Sequence, residues 1–210
     1  MDIMSYKSAV IKAYNGVLAA ILITVFTSVF EAFLLSYLQS DDVKLWFLVV
    51  FSIITAAAWI FFMLGLGAVN RVLENSGDIG AIKKLQVACC INVIVYLLLA
   101  IIYCMTINAI NSYNIDSVNL YGTVEIFVKV FVVVAYILNV VGYVTLKKSI
   151  TFPETGGINK LLFSSILLIV GTLMLLFRYI NIVGFIILII ASALYILGWL
   201  KIKNSWKNIE

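Results

Sequence analysis

Apolar and polar positions fall in long blocks along the chain. Six stretches rich in Leu, Ile, Val, Phe and Ala cover about Gly16–Leu38, Leu45–Val69, Leu85–Asn108, Val124–Leu146, Leu161–Phe177 and Ile182–Ile202. Short segments holding most of the charge separate them. A helix crosses the hydrocarbon of a bilayer with roughly 20 mostly apolar residues, so the pattern predicts an all-α membrane protein with six transmembrane helices. Six spans use almost the whole chain, which leaves one polytopic domain over 1–210. The longest remainder is the connection around Asn108–Thr123. Its sequence NAINSYNIDSVNLYG reads as a polar link between helices or as a cap over a pocket.

Periodicity inside the spans sorts their faces. Residues three, four or seven apart share a helix face, and in lipid a small or polar face turns toward neighbouring helices. The first span carries such a face at Gly16, Ala20, Thr24, Thr27, Ser28 and Glu31, and the third at Ala88, Asn92, Tyr96 and Tyr103. In the fourth, Glu125, Lys129, Tyr136, Asn139 and Tyr143 form one stripe, opposite an apolar face of Phe127, Phe131, Val134, Leu138 and Val141.

A longer repeat overlies these faces. GYVTLKKS (142–149) and GWLKIKNS (198–205) close the fourth and sixth spans in nearly the same letters, with RVLENS (71–76) as a weaker third copy. GAIKKLQVACC from Gly80 and GGINKLLFSSI from Gly156 open the third and fifth alike. The chain therefore reads as three helical hairpins, about 1–76, 77–149 and 150–210, in parallel repeat. Selection for interfacial aromatics and lysines on one side would produce part of the same likeness. A heptad spacing also runs through the last hairpin, at Ser164, Gly171 and Arg178 and at the small residues Gly184, Ala191 and Gly198. A turn centred on Asn181 pairs Arg178 with Gly184, Gly171 with Ala191 and Ser164 with Gly198.

Composition excludes a soluble globule: 64% of residues are hydrophobic, 11% are charged and mean hydropathy is +1.16. The first apolar run is too long for a signal peptide and has no A-x-A site, so it reads as a retained helix. Of the 14 Lys and Arg, all but Lys44, Lys129 and Arg178 fall on the side shared by both ends of the chain. The positive-inside rule then predicts cytoplasmic termini in the plasma membrane. The net charge of +4 is explained by topology and by anionic lipid headgroups, with no nucleic-acid partner.

Chemistry narrows the choice further. The chain has no histidine and no G-x-S-x-G, Walker A or H-E-x-x-H motif, which points away from an enzyme and predicts no cofactor and no metal. Cys89, Cys90 and Cys104 lie in one span without C-x-x-C spacing and read as packing residues. The single proline, Pro153, sits in the TFPETGG connection, so no span is broken by one.

Ionisable residues inside spans are costly and are functional candidates by default. Glu31, Glu125, Lys129 and Arg178 all lie in the outer half, and with Tyr136, Asn139 and Asn92 they make a candidate solute or ion site. A purely structural arrangement is the competing reading, in which Glu125 and Lys129 neutralise each other at i, i+4, Arg178 snorkels and Glu31 ties helices together. Two function classes follow. One is a small transporter, channel or solute-binding subunit with an outward-facing polar pocket. The other is an accessory, assembly or immunity-type membrane protein that binds a protein or lipid partner. Other membrane subunits or a second copy are possible partners in either. Helix count, cytoplasmic termini and length are similar to those of the substrate-binding subunits of energy-coupling-factor vitamin importers. That resemblance is one of architecture and implies no site residues.

Overall fold

The computed structural model describes residues 3–37, 41–72, 79–148, 155–175 and 181–205. They form six helices: α1 (Ile3–Tyr37), α2 (Asp41–Val72), α3 (Ile79–Asn111), α4 (Ile115–Lys147), α5 (Thr155–Leu175) and α6 (Asn181–Ser205). Each contains a segment long and apolar enough to cross a membrane, and the described residues hold no strand.

Several helices overrun the apolar stretches, because backbone hydrogen bonding does not stop where hydropathy does. The expected connection at Asn108–Thr123 shrinks to Ser112–Asn114. Ser112 Oγ donates to the carbonyl of Asn108 at 2.9 Å, Tyr113 turns the chain with a left-handed φ of 55°, and Asn114 caps α4 by accepting from Ser117 N at 3.1 Å. Ser and Asn compete for backbone groups in this way, so a segment of apparent loop composition contains two helix ends.

Each helix packs on its neighbours in sequence and α6 returns to α1, so the backbones form a closed ring, and among the described residues other helix pairs meet through side chains alone. At the end of the ring that carries most of the basic residues, Lys203 Nζ sits 4.2 Å from the centre of the Tyr14 ring and joins α6 to α1. Helix α2 packs on α3 as extensively as the helices within each hairpin pack on each other, whereas the α4–α5 and α6–α1 seams that flank the last hairpin are smaller.

Glycines set the closest seams. A Cβ on Gly16 would lie 2.6 Å from the Cα of Phe62, and one on Gly65 would lie 2.6 Å from the Cα of Ala13, so α1 and α2 touch backbone to backbone. At the basic end the other two hairpins repeat a contact: Gly142 lies against Leu85 as Gly198 lies against Leu161, each leaving 2.7 Å to a hypothetical Cβ. The residues that follow these glycines, Tyr143 and Trp199, are both fully buried.

Register in the last hairpin differs from the expected one. Gly171 opposes Gly184 and Leu188, and Gly198 opposes Leu161 and Gly157, in place of Gly171 with Ala191 and Ser164 with Gly198. The partners lie three to seven residues from the expected ones, and Asn181 begins α6 in place of centring the turn. Arg178 lies outside the described residues. Gly171→Leu is expected to cost about 1–3 kcal/mol by overpacking, since Leu188 and the Gly184 carbonyl already fill that space. Thermal unfolding in lipid nanodiscs checks this.

The inside of the ring is unequal along its length. Toward the basic end it is filled: Trp59, Phe62, Leu66, Leu85, Tyr143, Leu146, Tyr195 and Trp199 are all buried to within 1%. Phe62 meets Trp199 edge-on at 5.7 Å across the ring, joining helices whose backbones do not touch. Outside, Phe61, Leu64, Phe127 and Phe131 are exposed, as a lipid-facing surface requires.

Candidate functional site

Polar residues that the periodicity places on inner faces meet in the half of the ring opposite the aromatic packing. There a cavity of about 500 Å³ is lined by all six helices. Its hydroxyls come from Thr24, Thr27 and Ser28 of α1, Ser52 of α2, Tyr96 and Tyr103 of α3, Tyr136 of α4, Thr172 of α5 and Ser192 of α6. Leu99, Val132, Leu168 and Phe185 supply much of the remaining wall. The cavity extends from the level of Tyr96 and Tyr136 to the last described turn of α5 at Leu175 and the first of α6 at Ile182.

Part of this polarity is already satisfied. Thr24 Oγ1 donates to the Ala20 carbonyl at 2.7 Å, and Thr27 and Thr55 share a hydrogen bond of 3.4 Å. Lys129 lines the cavity and pairs with Glu125 across one helical turn at 2.6 Å. The same Glu125 oxygen accepts from the Tyr103 hydroxyl at 3.1 Å, which fixes α3 to α4. One wall therefore carries a cation whose charge is balanced by its neighbour, in the Glu-before-Lys order that helix geometry favours.

Below the cavity lies a hydrogen-bonded aromatic bed. Tyr143 and Tyr195 share a hydrogen bond, and Trp199 Nε1 donates to Tyr143 Oη at 3.2 Å. These hydrogen bonds satisfy the polar ends of Tyr143, Tyr195 and Trp199, whereas Trp59 Nε1 beside them has no partner among the described residues. Cys89, fully buried, packs into the same core, while Cys90 faces outward.

Between cavity and bed stand two asparagines. Asn92 lies one turn below Tyr96 on α3, and Asn139 lies one turn below Tyr136 on α4. Both are completely buried, and none of their four side-chain polar atoms has a hydrogen-bond partner among the described residues. An unsatisfied buried amide costs about 1–3 kcal/mol, so the pair is an expense that packing alone does not explain.

The chain matches no protein-family model, no curated protein and no solved structure. The likeness to vitamin-importer subunits thus remains one of helix count and expected topology.

Of the sequence candidates, Lys129 and Tyr136 line the cavity, Glu125 stands behind Lys129, and Asn92 and Asn139 lie beneath the floor. The side chain of Glu31 and the whole of Arg178 lie outside the described residues. No group of three or more His, Cys, Asp or Glu able to hold a metal occurs among the described residues. The sequence does not mark Ser52, Thr172 or Ser192 as site residues. Each is a single hydroxyl in an apolar run, and nothing in the periodicity distinguishes it from a packing residue.

Proposed function

We propose that the protein is a solute-binding membrane protein of transporter type, with its binding site in the hydroxyl-lined cavity. The observation that carries this reading is the asymmetry of the ring: one half is packed solid with aromatics, the other holds a polar cavity above two buried, unpartnered asparagines. About 500 Å³ falls within the range of sites that enclose small organic ligands, and a mostly apolar wall with a few placed polar groups is their usual character. Paired Glu125 and Lys129 leave the described wall close to neutral. The favoured solute is therefore an uncharged or zwitterionic molecule with both hydrogen-bonding and apolar surface. The aromatic bed supports a site that is blind toward the basic end, and so a capturing vessel over an open pore.

Orientation follows from charge. With the basic end in the cytoplasm, the cavity lies in the outer half of the plasma membrane and both termini face inward. The matched contacts Gly142–Leu85 and Gly198–Leu161 support reading at least the second and third hairpins as copies of one unit.

Native mass spectrometry of the full chain, incubated with a small-molecule extract, tests the proposal. A retained adduct of a few hundred daltons is expected, and Ser192→Phe, which fills the cavity, should remove it. Failure of the wild-type chain to retain any adduct would instead favour the accessory or assembly reading, in which the inner polar faces serve packing.

A further inference from the structure

A second recess lies outside the ring, at the basic end. There α1 and α3 both pack on α2 without touching each other, which leaves a groove of about 1180 Å³ over α2. Gly67 and Ala68 place little side chain along α2 between the flanking helices, and Gly65 lets α1 lie close against α2 at one edge of the recess. Phe61, Leu64 and Val87 are exposed along its apolar length, within segments of spanning hydropathy, so lipid is what surrounds them.

Its polar end carries three cations from three helices: Lys12 of α1, Arg71 of α2 and Lys83 of α3. Among the described residues none is in an ion pair or hydrogen bond, and the described lining residues include no acid. Asn15 and Gln86 stand beside them as further donors. Other lysines at this end are differently engaged: Lys84 Nζ donates to Thr145 Oγ1 at 3.1 Å, and Lys203 lies over Tyr14.

We propose that this groove holds one anionic glycerophospholipid of the leaflet at the basic end. Its phosphate would lie among Lys12, Arg71 and Lys83, and an acyl chain would run along Phe61, Leu64 and Val87. Three cations that line one recess with no acid among its described residues favour a negative headgroup over a zwitterionic one, and basic pockets between membrane helices select such headgroups. The apolar length of the groove, open to the bilayer, favours a lipid over a soluble phosphate. This site is independent of the solute cavity, which opens inside the ring.

The test is native mass spectrometry of the full chain released from nanodiscs of equal phosphatidylglycerol and phosphatidylcholine. One phosphatidylglycerol should be retained in preference. Lys12→Gln/Arg71→Gln/Lys83→Gln should weaken that retention on the order of 100-fold, at about one Lys or Arg contact per fivefold. The control Lys147→Gln/Lys148→Gln/Lys160→Gln removes equal charge from exposed positions elsewhere at the same end and should keep it. Gly67→Leu should also weaken retention, because it fills the groove and leaves every cation in place. Equal retention of the two lipids by the wild-type chain, equal loss from both triple variants, or displacement by millimolar inorganic phosphate would overturn the proposal.

Discussion

Asn139→Leu is expected to raise the unfolding temperature of the protein while abolishing solute binding, and Asn92→Leu should do the same. Both amides are fully buried, and among the described residues they leave both the nitrogen and the oxygen of the side chain without a partner, where Trp59 and Asn70 each leave a single atom. Removing an unsatisfied amide in favour of an apolar side chain of similar size relieves about 1–3 kcal/mol of desolvation. A protein keeps such a cost where the amide serves something other than stability, which is the pattern of binding sites. Thermal unfolding in nanodiscs, with adduct retention measured on the same samples, separates the outcomes. If Asn139 only ties helices together, leucine will lower stability and leave binding unchanged. Alanine would not discriminate, because it adds the penalty of a new cavity.

A larger loss of stability is expected at the α1–α2 seam. Gly16→Val and Gly65→Val each place a branched side chain where even a Cβ would lie 2.6 Å from the backbone of the facing helix. A flexible side chain could turn aside, but a backbone atom moves only with its helix. Relief therefore requires α1 to lift from α2, which also separates Phe26 and Phe30 from Phe51. In lipid, helices associate through close packing without help from the hydrophobic effect, so the lost contact is not replaced. The expected cost is at or above the upper end of about 1–3 kcal/mol for overpacking. Gly80→Ala and Gly122→Ala are the controls, since no atom lies within 4 Å of a Cβ at either position. They should be neutral or slightly stabilising, because alanine is the better helix former. Size-exclusion profiles and unfolding temperatures of the four variants check the contrast.

Much of this architecture is legible in the sequence, because a bilayer imposes simple rules. Six apolar runs mark six helices, and the stripe of α4 marks its inner face: Tyr136, Asn139 and Tyr143 are buried while Phe127, Phe131 and Val134 are exposed. The Glu125–Lys129 pair is visible from its spacing alone.

Other features are hidden for identifiable reasons. A heptad pattern is unchanged by a shift of seven residues, so Ser164, Gly171, Gly184 and Ala191 define a seam without fixing its register. Hydropathy reports solvent preference and not hydrogen bonding, so helical turns around Asn111 and Asn119 resemble a loop. Tyr143 and Trp199 sit beside lysines and look like an interfacial belt, whereas the structure buries them and bonds them to each other. Their true neighbours lie on other helices, and ring closure brings them together. The same holds for Ser52, Thr172 and Ser192, whose role becomes visible only when all six helices are assembled.

The central claim, that the cavity is a wet site reached from outside, is tested most directly by thiol accessibility. With Cys89, Cys90 and Cys104 replaced by alanine, Ser28→Cys, Thr172→Cys and Ser192→Cys would be treated in intact cells and in inverted vesicles with a membrane-impermeant methanethiosulfonate. Modification from the external face is expected at all three positions, with none from the cytoplasmic face and little at the lipid-facing control Phe131→Cys. Absence of reaction from either face, or reaction from the cytoplasmic face, would contradict it.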